Sequence, residues 1–296
     1  MRESPRRGSG SRAGEHGRGL QARGDPLRAG GSEARGAPVS GGTCRLVCKG
    51  ATHVGLRREV NEDCLLVAPE TGALAVADGM GGHAAGEVAS GIVIDTLREF
   101  LGQLEAPDSP ASAGGGSIPE PERLRTAIRM ANERIFKSIE QREELRGMGT
   151  TIVVALVQGD RLTIGSVGDS RAYLLRDGVL RQLTADHSWV QEQVDLGLLS
   201  PSEAHRHPFR NIVTRALGSR EEVAVDIREE QFLPGDLLLL CSDGLNSMVE
   251  DETIRRILSR TGEDPARACG DLVEAANQAG GEDNVTVIVA RTEPDC

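Results

Sequence analysis

The sequence predicts an α+β sandwich in which antiparallel sheets are flanked by helices. Three observations carry that expectation. Strand-like segments gather into meanders instead of alternating with helices, which argues against a parallel doubly wound sheet. Two long amphipathic patterns stand side by side between the early strands and the first meander. Twice, an apolar run without polar alternation, "LAVADG" at 74–79 and "LLLLCSDG" at 237–244, ends on Asp-Gly, as expected of a strand buried on both faces. Each of those runs delivers a carboxylate that is costly to bury alone, so a bound cation is the obvious partner. A third Asp-Gly, Asp177-Gly178, needs no chemistry, because between "AYLLR" and "VLRQL" it has the dipeptide of a type I′ hairpin turn.

From the N-terminal side, "CRLVCKG", "DCLLVAP" and "GALAVAD" read as strands punctuated by Gly and Pro. The pattern "AAGEVASGIVIDTLREFL" predicts a helix with Val88, Ile92, Leu97, Phe100 and Leu101 on one face. A second helix, "ERLRTAIRMANERIFKSIE", aligns Leu124, Ile128, Ala131, Ile135 and Ile139. The intervening "APDSPASAGGGSIP" reads as a flexible loop that lets the two helices lie antiparallel. Residues 150–184 form an expected meander of about four strands, with Gly-Asp and Asp-Gly at its turns. "LSPSEA" opens a short helix with Ser200 as N-cap, Pro201 at the first position and Glu203 closing a capping box. A second meander follows, then helices in "DETIRRILS" and "DPARACGDLVEAANQA" and a closing strand in "NVTVIVAR".

The 296 residues include only four Phe, one Trp and one Tyr, so the core is expected to be aliphatic. Net charge is −11 but uneven: residues 1–43 carry eight Arg against four acids, leaving the remainder near −15. Such a body makes a poor nucleic-acid binder and a better host for cations. Residues 1–43, rich in Gly, Arg, Ser and Pro with no hydrophobic period, read as a disordered arm, and residues 44–296 as the folded domain. An RNA-touching arm is disfavoured because no aromatics interleave its arginines. The six Cys show no C-x-x-C spacing and read as reduced thiols, with Cys44 and Cys48 as strand residues. No stretch approaches the roughly 18 apolar residues of a membrane span, and no apolar region follows Arg6-Arg7 as an export signal would require. The expectation is a cytoplasmic protein without membrane or nucleic-acid partners.

Acids beside turn signals form the chemical core of the sequence: Glu62 and Asp63 in "NEDC", Asp78 in "ADGM", Asp169 in "VGDS", Asp243 in "CSDG" and Asp283 in "GEDN". Any one alone reads as a turn residue or cap. Hard oxygen donors without clustered His or Cys select Mg²⁺ or Mn²⁺ over Zn²⁺. Together on separate strand ends they resemble the rim of a two-metal site, where cations about 3.5–4 Å apart activate water for in-line attack on phosphorus. Gly79 leaves its backbone carbonyl open to a metal.

Eight segments in one order, "VGLRREVNEDC", "VADGMGGHAAGEVAS", "MGTTIVVAL", "VGDSRAYLL", "LTADHSWV", "HPFRNIVTRALG", "CSDGL" and "GGEDNVTVIV", resemble the bacterial branch of the protein phosphatase 2C family over about residues 44–292. The resemblance implies a four-layer α-β-β-α sandwich of two antiparallel sheets, with a mobile flap over about residues 186–216. It implies metal-dependent hydrolysis of phosphoserine and phosphothreonine in proteins, with two Mn²⁺ or Mg²⁺ ions and a weaker third. Asp78 would bridge both metals, Gly79 supply a carbonyl ligand, and Asp243 and Asp283 hold the first metal. Asp169 with Asp243 would hold the third. Glu62 and Asp63 would orient water at the metals. Arg58, which spacing alone leaves between phosphate binding and a surface salt bridge, would grip the substrate phosphate. His83, otherwise a cap or solvated residue, would be the general acid for the leaving alkoxide.

One departure is visible: His53 stands where the family usually has Asp, which touches local packing or substrate contact rather than the metal ligands. His187 beside Asp186 could be taken for a catalytic dyad, but its loop context favours a structural role. The implied partners are phosphorylated proteins, namely Ser/Thr kinases and their substrates, met by a monomer. Competing readings are a phosphatase dedicated to anti-sigma-antagonist proteins, a two-metal phosphodiesterase, and a catalytically dead scaffold, which would have lost metal carboxylates that this chain keeps.

Overall fold

The computed structural model describes residues 44–81, 85–103 and 118–294. The arm at 1–43, His83 and most of the expected loop at 106–119 lie outside the described residues. In chain order the elements are β1 (Cys44–His53), β2 (Asp63–Ala68), β3 (Ala73–Met80), α1 (Ala85–Gln103), α2 (Glu120–Gln141), β4 (Gly149–Thr150), β5 (Ile152–Gln158), β6 (Arg161–Val167), β7 (Arg171–Arg176) and β8 (Val179–Gln182). They continue with α3 (Trp189–Asp195), α4 (Pro201–His205), β9 (Asp226–Gln231), β10 (Leu237–Cys241), α5 (Asp243–Asn246), α6 (Asp251–Thr261), α7 (Pro265–Gln278) and β11 (Val285–Pro294).

Among the described residues the strands form two sheets, ordered β1-β11-β10-β7-β8 and β2-β3-β5-β6-β9, with β4 added to the end of β3. Every pairing is antiparallel. Strand alternation builds the layers. On β3, Leu74 and Val76 point into a core shared with Leu238, Leu240 and Ile288 of the facing sheet. Ala73, Ala75 and Ala77 point the other way, into a second core with α1 and α2. The third core lies beyond the first sheet, where Tyr173, Leu239 and Val287 meet Ile254, Leu258 and Leu272 of α6 and α7. The order of layers is therefore α-β-β-α, with both sheets buried on both faces as their uninterrupted apolar runs predict.

Three expectations need correction. The run 150–184 is not one meander: β5–β6 and β7–β8 are hairpins in different sheets. The chain crosses between them at Gly168, whose φ of 110° and close fit against Thr151, 2.5 Å from where a Cβ would stand, only glycine tolerates. The second meander divides likewise, β9 in one sheet and β10 in the other. A hairpin and a sheet-to-sheet crossover share the same period-two strands, so local pattern does not separate them. On α1 the fully buried stripe is Ala89, Val93, Leu97 and Leu101, while Val88, Ile92 and Phe100 are half-buried at its margin. Bulk drew the expected face toward the larger residues, whereas the buried stripe runs through the small Ala89. On α2 Leu124, Ile128, Ala131 and Ile135 are buried as expected, while Ile139 is only half-buried against the same core. The Asp177-Gly178 turn has both residues at positive φ, 51° and 76°. The Ser200 capping box is formed in full.

Candidate active site

Antiparallel pairing gathers the acids at one edge of the sandwich. The ends of β1, β3, β6 and β10 and the starts of β2, β7 and β11 all fall there. Asp63 opens β2 directly opposite Asp78 on β3. Asp78 does not end its strand, since pairing with β4 carries β3 on to Met80. Asp169 sits on the β6–β7 crossover, Asp243 opens α5 rather than closing a strand turn, and Asp283 immediately precedes β11. Asp63 and Asp169 are buried, and Asp78, Asp243 and Asp283 lie in the same recess with part of their surface accessible.

Crowding these carboxylates has an electrostatic consequence. Burial, then repulsion from Asp243 and Asp283, pushes the Asp63 carboxyl above its ordinary range. Asp78 is pushed well above its own, first by burial and then by Asp63, Asp243, Asp169 and Asp283. Asp169 and Asp243 move the same way, again with burial as the largest cause. Protein cations offset little of this charge. Arg58 pairs with Asp283 at 2.7 Å and is half exposed. Arg171 is bound in a fork to Asp186 and donates to the Tyr173 hydroxyl, which donates to Asp251.

The chemistry of the donors suits a hard divalent cation, although among the described residues no three ligating side chains converge to metal-binding distance. Glu62 Oε1 and Asp63 Oδ1 are buried oxygens without a hydrogen-bond partner, and an ionised carboxylate can only accept. The other Asp63 oxygen accepts from Ser242 Oγ at 2.8 Å, which orients the orphaned one. At Gly79 a Cβ would fall 2.2 Å from the carbonyl oxygen of Gly86 and 2.6 Å from that of Glu62, so a bare backbone is required there. All-oxygen donors of this kind suit Mg²⁺ and Mn²⁺.

Nearby residues that sequence reasoning passed over hold this arrangement. Thr150 Oγ1 donates to the Asp78 carbonyl, and the Asp78 amide donates to Thr151 Oγ1, which pairs with Ser170 Oγ. The Ser242 hydroxyl, besides serving Asp63, accepts from the Thr286 amide. Asn284 Oδ1 accepts from the Glu62 amide. All are uncharged; Ser170, Ser242 and Asn284 adjoin a motif acid, which was the one available signal, and Thr150, Thr151 and Thr286 offered none. His187 is structural: Nδ1 accepts from the Gly168 amide and Nε2 faces Asp226 and Arg215, while Asp186 serves Arg171, so no His187–Asp186 dyad forms. His53 accepts from the Gly55 amide through Nδ1, which gives its departure from the family a local packing role.

Residues 186–216 fold over the recess as α3 and α4, pinned by a bridge between Ser188 and Val213 and by contacts among Trp189, His207 and Phe209. A cavity of about 490 Å³ separates them from Asp169 and Asp243, with Val190, Ala204 and Arg210 on the flap side. No helix among the described residues is long and apolar enough to cross a membrane.

Comparison with known proteins agrees with this geometry. The family model for protein phosphatase 2C matches residues 50–275. The serine/threonine protein phosphatase PstP of Mycobacterium tuberculosis is 45% identical over 237 residues, which make up 80% of this chain and 43% of that protein. This chain thus spans less than half the length of the first curated relatives it matches. The serine/threonine phosphatase stp of Listeria monocytogenes is 41% identical over 224 residues, 74% of this chain and 83% of that protein. The crystal structure of Mycobacterium tuberculosis PstP/Ppp superimposes with a TM-score of 0.75 at 42% identity, covering 83% of this chain and 98% of that one. That of the PstP catalytic domain in complex with two manganese ions does so with a TM-score of 0.74 at 41% identity, covering 84% and 99%. With the family model matching most of its length and the same α-β-β-α layers carrying the acids on one edge, the chain belongs to the protein phosphatase 2C family.

Proposed function

We propose that the chain is a metal-dependent protein-serine/threonine phosphatase whose catalytic domain is residues 44–296. The observation that carries this reading is the pair of orphaned, buried carboxylate oxygens of Glu62 and Asp63 at the floor of a crowded acidic recess. Asp78, Asp243 and Asp283, with the Gly79 carbonyl, would hold two Mn²⁺ or Mg²⁺ ions, and Asp169 with Asp243 a third. Bound there, divalent cations activate water and stabilise charge developing on phosphoryl oxygens.

The chain's own groups do the rest. Glu62 Oε1 and Asp63 Oδ1 accept hydrogen bonds from the attacking water and fix its approach. Arg58, half exposed at the mouth of the recess, presents its planar fork to the phosphate oxygens and orients the ester for in-line attack. His83 donates a proton to the departing serine or threonine oxygen, a poor leaving group unless protonated. The products are the free hydroxyl side chain and inorganic phosphate.

In a bacterium this activity opposes Ser/Thr kinases, so the partners are phosphorylated proteins, kinases included, met in the cytoplasm by a monomer. The acidic body gives no basic face for nucleic acid. The test is hydrolysis of phosphoserine and phosphothreonine peptides with Mn²⁺, Mg²⁺ or chelator, beside a phosphodiester control. Activity that needs the cation and spares the diester supports the reading. Full activity in chelator removes it.

A further inference from the structure

We infer that Asn284 is a positioning residue whose carboxamide locks the loop carrying Arg58 and Glu62 onto the segments that present Asp243 and Asp283; the inference rests on the phosphatase reading above. Asn284 is buried, and its side chain is fully used: Oδ1 accepts from the Glu62 amide at 2.8 Å, and Nδ2 donates to the carbonyls of Val54 and Val60, both at 3.0 Å. Its own amide donates to Asp283 Oδ1 at 2.8 Å, which sets the rotation of that carboxylate. Its carbonyl lies against Gly244, where a Cβ would stand 2.0 Å away, so the residue after Asp243 is packed directly onto it. Segments far apart in sequence, 54–62, 243–244 and 283–285, thus meet at one residue, the first through its side chain and the second through its backbone carbonyl.

The loop is held at single points by the Leu56 amide donating to the Gly281 carbonyl at 2.7 Å, the Arg58–Asp283 pair at 2.7 Å, Asn61 Nδ2 donating to Thr52 Oγ1 at 2.8 Å and Ser90 Oγ donating to the Glu62 carbonyl at 2.6 Å, whereas the Asn284 carboxamide ties three of its backbone groups at once. Leu56 and Val60 are exposed, so no hydrophobic anchor fixes the loop. Arg58 lies in the loop between the Val54 and Val60 carbonyls, two of the three groups that Asn284 holds. One acceptor and two diverging donors are what the three loop groups demand, and among side chains of this size only a carboxamide supplies them. Losing it would free backbone groups that are costly to leave unpaired and let Arg58 wander from the phosphate position.

A double-mutant cycle in the full chain tests this, with KM and kcat read on a phosphothreonine peptide in Mn²⁺ and hydrogen exchange read separately in chelator. Asn284→Ala is expected to raise KM about tenfold in the wild-type background and less than about twofold in the Arg58→Ala background, because its effect passes through Arg58. Exchange over 54–62 should quicken while that of β5 and β6 stays unchanged. Asn284→Asp, of equal size but without the donors, should show the same coupling if the alanine variant fails to fold. Additive effects on KM, or unchanged exchange over 54–62, would overturn the inference while leaving the phosphatase reading standing. A wild-type protein that hydrolyses no phosphopeptide would instead bring down that reading, and this inference with it, before any variant is compared.

Discussion

Asp283 repels Asp243 and pairs with Arg58, and removing one or the other should have opposite signatures. Asp243→Asn takes a negative oxygen from the proposed metal set, so hydrolysis should fall more than the roughly 10–100-fold typical of outer-shell changes, at every Mn²⁺ concentration. The same substitution removes a charge that repels Asp63 and Asp78, so in chelator its melting temperature should rise. Arg58→Ala should raise KM for phosphopeptides by about 10–100-fold, the value of one charge-assisted contact, at saturating Mn²⁺. His83→Ala should slow hydrolysis of phosphoserine peptides by roughly 10²–10⁴ and that of an aryl phosphate far less, because an aryloxide departs unprotonated. Equal slowing of both substrates would assign His83 to structure. Burial pushes the thiols of Cys48 and Cys269 up to about 11 and that of Cys241 up to about 12, so these three should stay neutral and alkylation should leave hydrolysis unchanged.

At the scale of elements, α1 offers the sharpest contrast between local pattern and packing. Leu97 is wholly buried over β3 and Val88 lies at the margin. Leu97→Ala should therefore cost about 2–5 kcal/mol in denaturant unfolding, and Val88→Ala less than about 1.5 kcal/mol. Similar costs for both would show that the helix is rotated from the orientation described. The helices α1, α2, α4, α6 and α7, the hairpin turn and the capping box were legible in the sequence because each depends on neighbours within four residues, whereas the short α3 and α5 were not read. The division of 150–184 between two sheets was not, because β6 and β7 look alike whether they pair with each other or with strands far along the chain.

For the whole molecule, the acidic rim links stability to pH and to cations. Asp243, Asp63 and Asp169 are raised from an ordinary 3.8 to about 6, about 7 and about 8, burial being the largest cause for each. Their folded forms hold protons that the unfolded chain has already lost, so stability is greatest near and below pH 4 on this account and declines as pH rises through the folded values. In chelator the melting temperature should fall between about pH 5 and pH 8. Adding Mn²⁺ should reverse the trend, with the largest gain at the alkaline end, where the carboxylates are ionised and cation binding to the native state is strongest. A chelated protein whose melting temperature rose steadily over that window would contradict the crowding described here.

The sequence by itself determined which strands are buried on both faces, where the acids stand along the chain and, through eight ordered segments, the family. These are local or short-range properties: apolar runs, turn dipeptides and motif spacing survive being read one segment at a time. Only the tertiary structure decided that β6 and β7 lie in different sheets, that Ala89 rather than Val88 is fully buried, and that Arg58 meets Asp283. It also decided that Asn284, Ser242 and Thr151 hold the site together. Their side chains are uncharged and their partners lie 73 to 222 residues away. A hydrogen bond across such a separation leaves no periodicity in the sequence, because its geometry exists only once both sheets have closed on each other.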